Sequence, residues 1–174
     1  MNVMLSKTFF PQHPKAGEAT HFAKKVIHGE KRHTCRCNYD YWHERITKVQ
    51  ERGGVLSLRQ WSGRPYEKGS TQERIMDVPA SMVEVQRLVM SRQSNKYKER
   101  KGSVFEPSAE YRYFAEVDGT PIDVAEIAKN DGLTLEDFKA WFNPVFDEYE
   151  DKHGTGIRAS ALTFAVIQFT TFRY

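Results

Sequence analysis

The run Leu-Thr-Phe-Ala-Val-Ile-Gln-Phe-Thr-Thr-Phe, from Leu162 to Phe172, constrains the fold more than any other part of this chain. A strand sends successive side chains to opposite faces, so a strand with one solvated face alternates apolar and polar residues. This run is apolar on both faces, which predicts a strand in the interior of a sheet. Strand-like segments outnumber helical ones and fall at irregular intervals, without regular βαβ alternation. The pattern argues against a doubly wound sheet and predicts an α+β chain, a small mixed barrel with helices packed on it. A length of 174 residues suits one domain, 1–174.

Other elements follow from periodicity and punctuation. Met4 to Phe10 reads as a strand stopped by Pro11 and Pro14. Ala19 to His28 reads as a helix with Phe22, Ala23, Val26 and Ile27 on one face, ended by Gly29. A strand is expected from His33 to Asn38, and Asn38 then caps a helix from Tyr39 to Arg52 whose buried stripe is Trp42, Ile46 and Val49. Further strands are expected at Val55–Trp61, Gln72–Val78, Met82–Met90 and Glu110–Val117, with a turn at Asp118-Gly119. The polar, lysine-rich run from Ser91 to Pro107 reads as a hairpin loop or insertion, at about 91–107 of the domain. Two late helices are expected, Asp123–Asn130 and Thr134–Phe142, the second capped by Thr134, stabilised by Phe138, Trp141 and Phe142, and broken by Pro144.

Composition narrows the class. Hydrophobic residues make up 39% of the chain, enough for a core. The net charge of +3 permits contact with nucleic acid without making the chain a broad electrostatic binder. No stretch is long and apolar enough to span a bilayer, and Met1 to Phe10 lacks the apolar stretch and cleavage site of a signal peptide, so a cytoplasmic protein with no membrane contact is expected. Cys35 and Cys37 fall on one face of a strand, poorly placed to bridge each other, and are expected to be reduced and buried. Neither they nor His21, His28, His33 and His43 have a standard zinc spacing, so no metal and no cofactor is expected.

The chemistry concentrates in Gly29-Glu30-Lys31-Arg32-His33-Thr34-Cys35-Arg36, where a helix gives way to a strand. Rigid elements there hold side chains that the junction exposes. Alternation places Thr34, Arg36 and Asn38 on one face and His33, Cys35 and Cys37 on the other, so Thr34 and Arg36 are expected to face a cleft together while the cysteines face the core. Lys31 follows a helix C-terminus, whose dipole favours a cation. Lys31 and Arg36 therefore read as binders of an anion or a carbonyl, the alternatives being a solvated lysine and, for Thr34, an ordinary strand residue. Arg59, Trp61, Arg64 and Tyr66 form a cationic and aromatic cluster at one strand end, of the kind on which bases stack and phosphates rest. The alternative is Trp61 capping the core with the arginines solvated. Lys96 to Lys101 reads as a solvated loop.

The spacing Gly29, Lys31, Arg36, the stretch Val55-Leu-Ser-Leu-Arg-Gln-Trp-Ser-Gly-Arg-Pro-Tyr66, and Asn130-Asp131-Gly132-Leu133 followed by Leu135 to Trp141 occur in an order that resembles the ASCH family. The aromatic last strand ending at Tyr174 fits as well. The resemblance implies a PUA-like mixed β-barrel with flanking helices, binding RNA or a nucleotide in a cleft beside the barrel. In some bacterial members it implies hydrolysis of the acetyl amide of N4-acetylcytidine by a lysine, a threonine and a downstream glutamate. Lys31 and Thr34 match the first two, and the acid falls at Asp131, one methylene shorter, in a position that also suits a turn residue before Gly132. Three activities are thus expected in order: RNA or nucleotide binding; amidohydrolysis of a modified nucleoside; and a protein-interaction module built on 91–107.

Overall fold

The computed structural model describes residues 1–94, 111–153 and 159–174. In chain order the elements are β1 (Asn2–Met4), α1 (Phe22–Ile27), β2 (His33–Cys37), α2 (Tyr39–Glu51), β3 (Val55–Trp61), β4 (Gln72–Pro79), a 3₁₀ turn (Ala80–Met82), β5 (Glu84–Ser94), β6 (Tyr111–Val117), β7 (Thr120–Ile122), α3 (Val124–Asn130), α4 (Leu135–His153) and β8 (Ala159–Gln168). They form a three-stranded sheet, β1-β3-β4, and a five-stranded sheet, β2-β8-β5-β6-β7. β1 runs parallel to β3, and every other pair is antiparallel. The described residues form a mixed α+β fold with four α-helices. Among the described residues no strand ladder joins the two sheets, and the predicted barrel does not appear as a closed one.

The doubly apolar segment lies where its composition requires. β8 sits between β2 and β5, its residues Phe164 to Gln168 buried without a break. One face of the sheet carries Leu88 and Met90 of β5 beside Phe164 of β8, and α4 covers it with Phe138, Phe142 and Phe146. The rings of Phe142 and Phe164 meet edge to face at 5.1 Å. The other face carries α2 across part of its width, with Ile46 buried beneath. Asn38 caps α2 as expected, its side chain accepting the Tyr41 N–H.

Several boundaries differ from the sequence expectations for identifiable reasons. The first strand is Asn2–Met4, not Met4–Phe10; beyond Leu5 the chain folds on itself, with Phe9 donating to Glu18 O and accepting from Gly17 N. The first helix starts at Phe22 because Thr20 spends its hydroxyl on Ser6 O and His21 takes a left-handed conformation, φ 58°. The final strand stops at Gln168, where Thr170 and Arg173 make turn contacts. Cys37 is exposed although Cys35 is buried, because β2 runs out to the surface at that end. α4 continues through Pro144 to His153. An interior proline costs a helix about 3 kcal/mol, and here tertiary contacts beyond it outweigh that. Phe146 is fully buried, and the Arg92 guanidinium of β5 reaches Asn143, Asp147 and Glu150 of the same helix. Of the polar run at 91–107, the first four residues belong to β5 and the rest lies outside the described residues, as does the Lys96–Lys101 stretch.

Candidate functional site

α1 ends with its chain drawn sharply back. Gly29, at φ 73°, donates to Val26 O, and the Glu30 and Lys31 N–H groups both donate to Lys25 O. Arg32 N–H then bonds Asn130 O at 2.8 Å, which ties the start of β2 to the end of α3. These bonds turn the Lys31 side chain inward, and only 1% of it is exposed. Its ammonium forms an ion pair with the Asp131 carboxylate, donates to Asp131 O at 2.6 Å and lies 4.1 Å from the centroid of the Phe22 ring. Gly132 makes the approach possible. It has φ 75°, and a Cβ there would stand 3.1 Å from Lys31 Cβ and 3.3 Å from Lys25 Cδ.

Around this pair lies a hollow of about 10 Å³, lined by Leu5, Ser6, Phe22, Lys31, Thr34, Cys35, Arg36, Asp131 and Trp141. Its volume is that of about one water. Thr34, Cys35 and Arg36 all line it although alternation puts Cys35 on the opposite face. The hollow therefore sits at the outer edge of β2, away from β8, and not on a face of the strand. Thr34 and Arg36 thus line one hollow together with Lys31 and Asp131, and Cys35, expected to face only the core, lines it as well. Arg36 is half-buried and donates to Met4 O, which anchors it to the end of β1.

Burial governs the charges. It pushes Lys31 below its ordinary pKa and Asp131 above its own, each opposed by the partner's charge. Burial also lowers Arg36 and raises the Cys35 thiol. His33, fully buried, has its Nε2 2.6 Å from the Tyr174 hydroxyl and its Nδ1 4.0 Å from Asp131 Oδ1. Burial, with the Lys31 charge, holds it well below the usual 6.5. Asn130 Nδ2 donates to the same hydroxyl at 3.3 Å.

A pH dependence follows. A folded-state pKa depressed below the unfolded value contributes stability that is present above the unfolded value and lost as pH falls. His33 therefore withdraws stability below about pH 6.5, by up to about 1.4 kcal/mol per pH unit. Urea midpoints from pH 7.5 to 5 are expected to fall less steeply in His33→Gln than in the wild type. Parallel slopes would show that His33 does not carry the effect.

The Arg59 cluster stands apart from the hollow. Arg59 donates from Nε to Ser57 Oγ at 3.1 Å, and its carbonyl accepts the Leu5 N–H, which links it to the hollow's wall. Trp61 and Tyr66 pair with ring centroids 5.1 Å apart, Tyr66 being 91% exposed at φ 62°. Arg64 is exposed in the same loop, which Ser62 and Thr71 close by hydrogen bonds. None of these four side chains lines the hollow. Two aromatic residues that do, Phe22 and Trp141, look in sequence like ordinary members of apolar helix stripes. The available signal was the position of Phe22, on the helix whose end delivers Lys31.

Among the described residues no group of three His, Cys, Asp or Glu side chains is placed to hold a metal ion, and no helix is long and apolar enough to cross a membrane. No protein-family model, curated protein or solved structure matches the chain.

Proposed function

We propose that this is a cytoplasmic, ASCH-type protein of PUA-like architecture that binds RNA or a nucleotide, its base held at the Lys31–Asp131 hollow. One observation carries the reading: a fully buried ion pair beside two aromatic rings and a half-buried arginine. A buried pair is weak as a source of stability, since desolvation offsets much of its attraction. Its groups suit recognition better. Lys31 and Arg36 donate to carbonyl or ring-nitrogen acceptors, and Asp131 accepts from an exocyclic amine, a set that complements the pairing edge of cytosine. Entry of a base requires the half-buried Arg36 and Trp141 to turn outward, and Arg59, Trp61, Arg64 and Tyr66 supply an outer platform for neighbouring nucleotides. Calorimetric titration with cytidine monophosphate and with a short single-stranded RNA tests this. Binding that weakens roughly 10-fold or more in Arg36→Ala, the worth of a charged hydrogen bond, is the expected result. Absence of binding to both ligands overturns it.

A second reading has its own support. Thr34 lines the same hollow as Lys31, and burial moves Lys31 toward the neutral amine that a general base needs. In an amidohydrolase, Thr34 Oγ attacks the acetyl carbonyl of N4-acetylcytidine while Lys31 takes its proton and passes it to the departing N4. Water then hydrolyses the threonyl ester to acetate. Chromatography after incubation with N4-acetylcytidine decides it. Cytidine release that is lost in Thr34→Ala supports this reading, and no release by the wild type removes it.

A further inference from the structure

We propose that a second, basic groove, built on the same Asn130–Gly132 turn as the hollow, holds the phosphodiester backbone of single-stranded RNA. The proposal rests on the nucleic-acid reading above. The groove has a volume of about 480 Å³, and Lys25, His28, Arg32 and Lys129 line it. Among its described lining residues Glu30 is the one carboxylate, 3.9 Å from His28. The cations Lys25, Arg32 and Lys129 come from three places, the last turn of α1, the junction after it and the last turn of α3. A groove of this size lined by several basic side chains suits a chain of phosphates better than a single anion.

Local contacts aim the groups. Lys25 Nζ donates to Gly132 O at 2.6 Å, and the Arg32 guanidinium lies 5.1 Å from the Phe172 ring centroid. Arg32 and Lys129 are exposed, and among the described residues neither makes an ion pair. The carbonyls at the end of α1, which would repel an anion, already accept N–H groups from Gly29, Glu30 and Lys31. The turn serves both sites: Asp131 lines the hollow, while Asn130 and Gly132 line the groove. A strand lying in the groove thus has its backbone one turn away from the position proposed for the base.

Fluorescence anisotropy with a labelled 12-nucleotide oligocytidine RNA, across 50 to 200 mM KCl, tests the assignment. In Arg32→Glu/Lys129→Glu, binding is expected to weaken at least about 10-fold at low salt. Its salt slope is expected to fall by about 1.4, the loss of two phosphate contacts on a single strand. The milder Arg32→Gln/Lys129→Gln pair, which leaves the fold under less strain, is expected to show the same loss of slope. Wild-type binding whose affinity and slope are unchanged in both pairs overturns the groove and leaves the nucleic-acid reading standing. A wild type that binds no RNA overturns that reading and the groove with it. Displacement of RNA by polyglutamate at equal charge would reassign the groove to acidic protein segments and overturn the proposal.

Discussion

Lys31→Met is expected to lower the unfolding free energy by about 3–5 kcal/mol, the usual consequence of removing one partner from a buried ion pair. The cost arises because Asp131 stays behind, enclosed and without its counter-charge. The effect has a signed pH dependence. Burial already raises Asp131, and loss of Lys31 raises it further. A carboxylate whose folded pKa lies above the unfolded one contributes stability that is full below the unfolded value and is lost as pH rises through the folded one. The difference between Lys31→Met and wild type should therefore be large at neutral pH and shrink on acidification. Adding Asp131→Asn should recover much of the loss, since no unpaired charge then remains. Denaturant unfolding of the single and double variants measures all of this. A single variant as stable as the wild type would mean that the pair is not shielded as described.

Phe146→Ala is expected to cost about 3–5 kcal/mol, the range for truncating a large buried aromatic side chain. Phe146 is fully buried, and its ring centroid lies 5.7 Å from that of Tyr113 and 6.3 Å from that of Phe164, with the Arg92 guanidinium at 5.2 Å. It also lies on the half of α4 that follows Pro144, where the helix depends on tertiary contacts to continue. Circular dichroism should accordingly show a loss of helix along with the lowered stability. Full retention of both would indicate that Arg92 alone holds the second half of α4.

Local sequence signals fix the structure where one residue type dictates one conformation. Asn38 capped its helix, Asp118-Gly119 made its turn with both residues at positive φ, and Val55–Trp61 matched β3 at both ends. The apolar character of Leu162 onward located an interior strand. Local preference gives way where distant contacts overrule it. Pro144 is a breaker by local rules, yet Phe146 and Arg92 carry α4 past it. At the site, the convergence of Lys31 with Asp131 followed from a resemblance of motifs and not from spacing, because 100 residues separate them. That Trp141 lines the same hollow was not legible, since a stripe of aromatics on a helix reveals that a face is covered and not by what. The separation of the Arg59 cluster from the hollow was equally hidden. Parity along β3 places Arg59 and Trp61 on one face but says nothing of which sheet that strand joins.

The place of β8 has a consequence for biosynthesis. His33 pairs with Gln168 and Cys37 with Phe164, so β2 waits for residues translated long after it. A nascent chain that has emerged as far as α4 holds β2 and β5 with a missing strand between them. Their apolar faces and unpaired backbone groups stay uncovered until residues 159–168 leave the ribosome. Folding of the larger sheet is thus a late event with long-range closure, slow by the usual relation between topology and rate. The turn that holds the ammonium–carboxylate pair, by contrast, closes through contacts between α1, the start of β2 and the end of α3, all translated before β8.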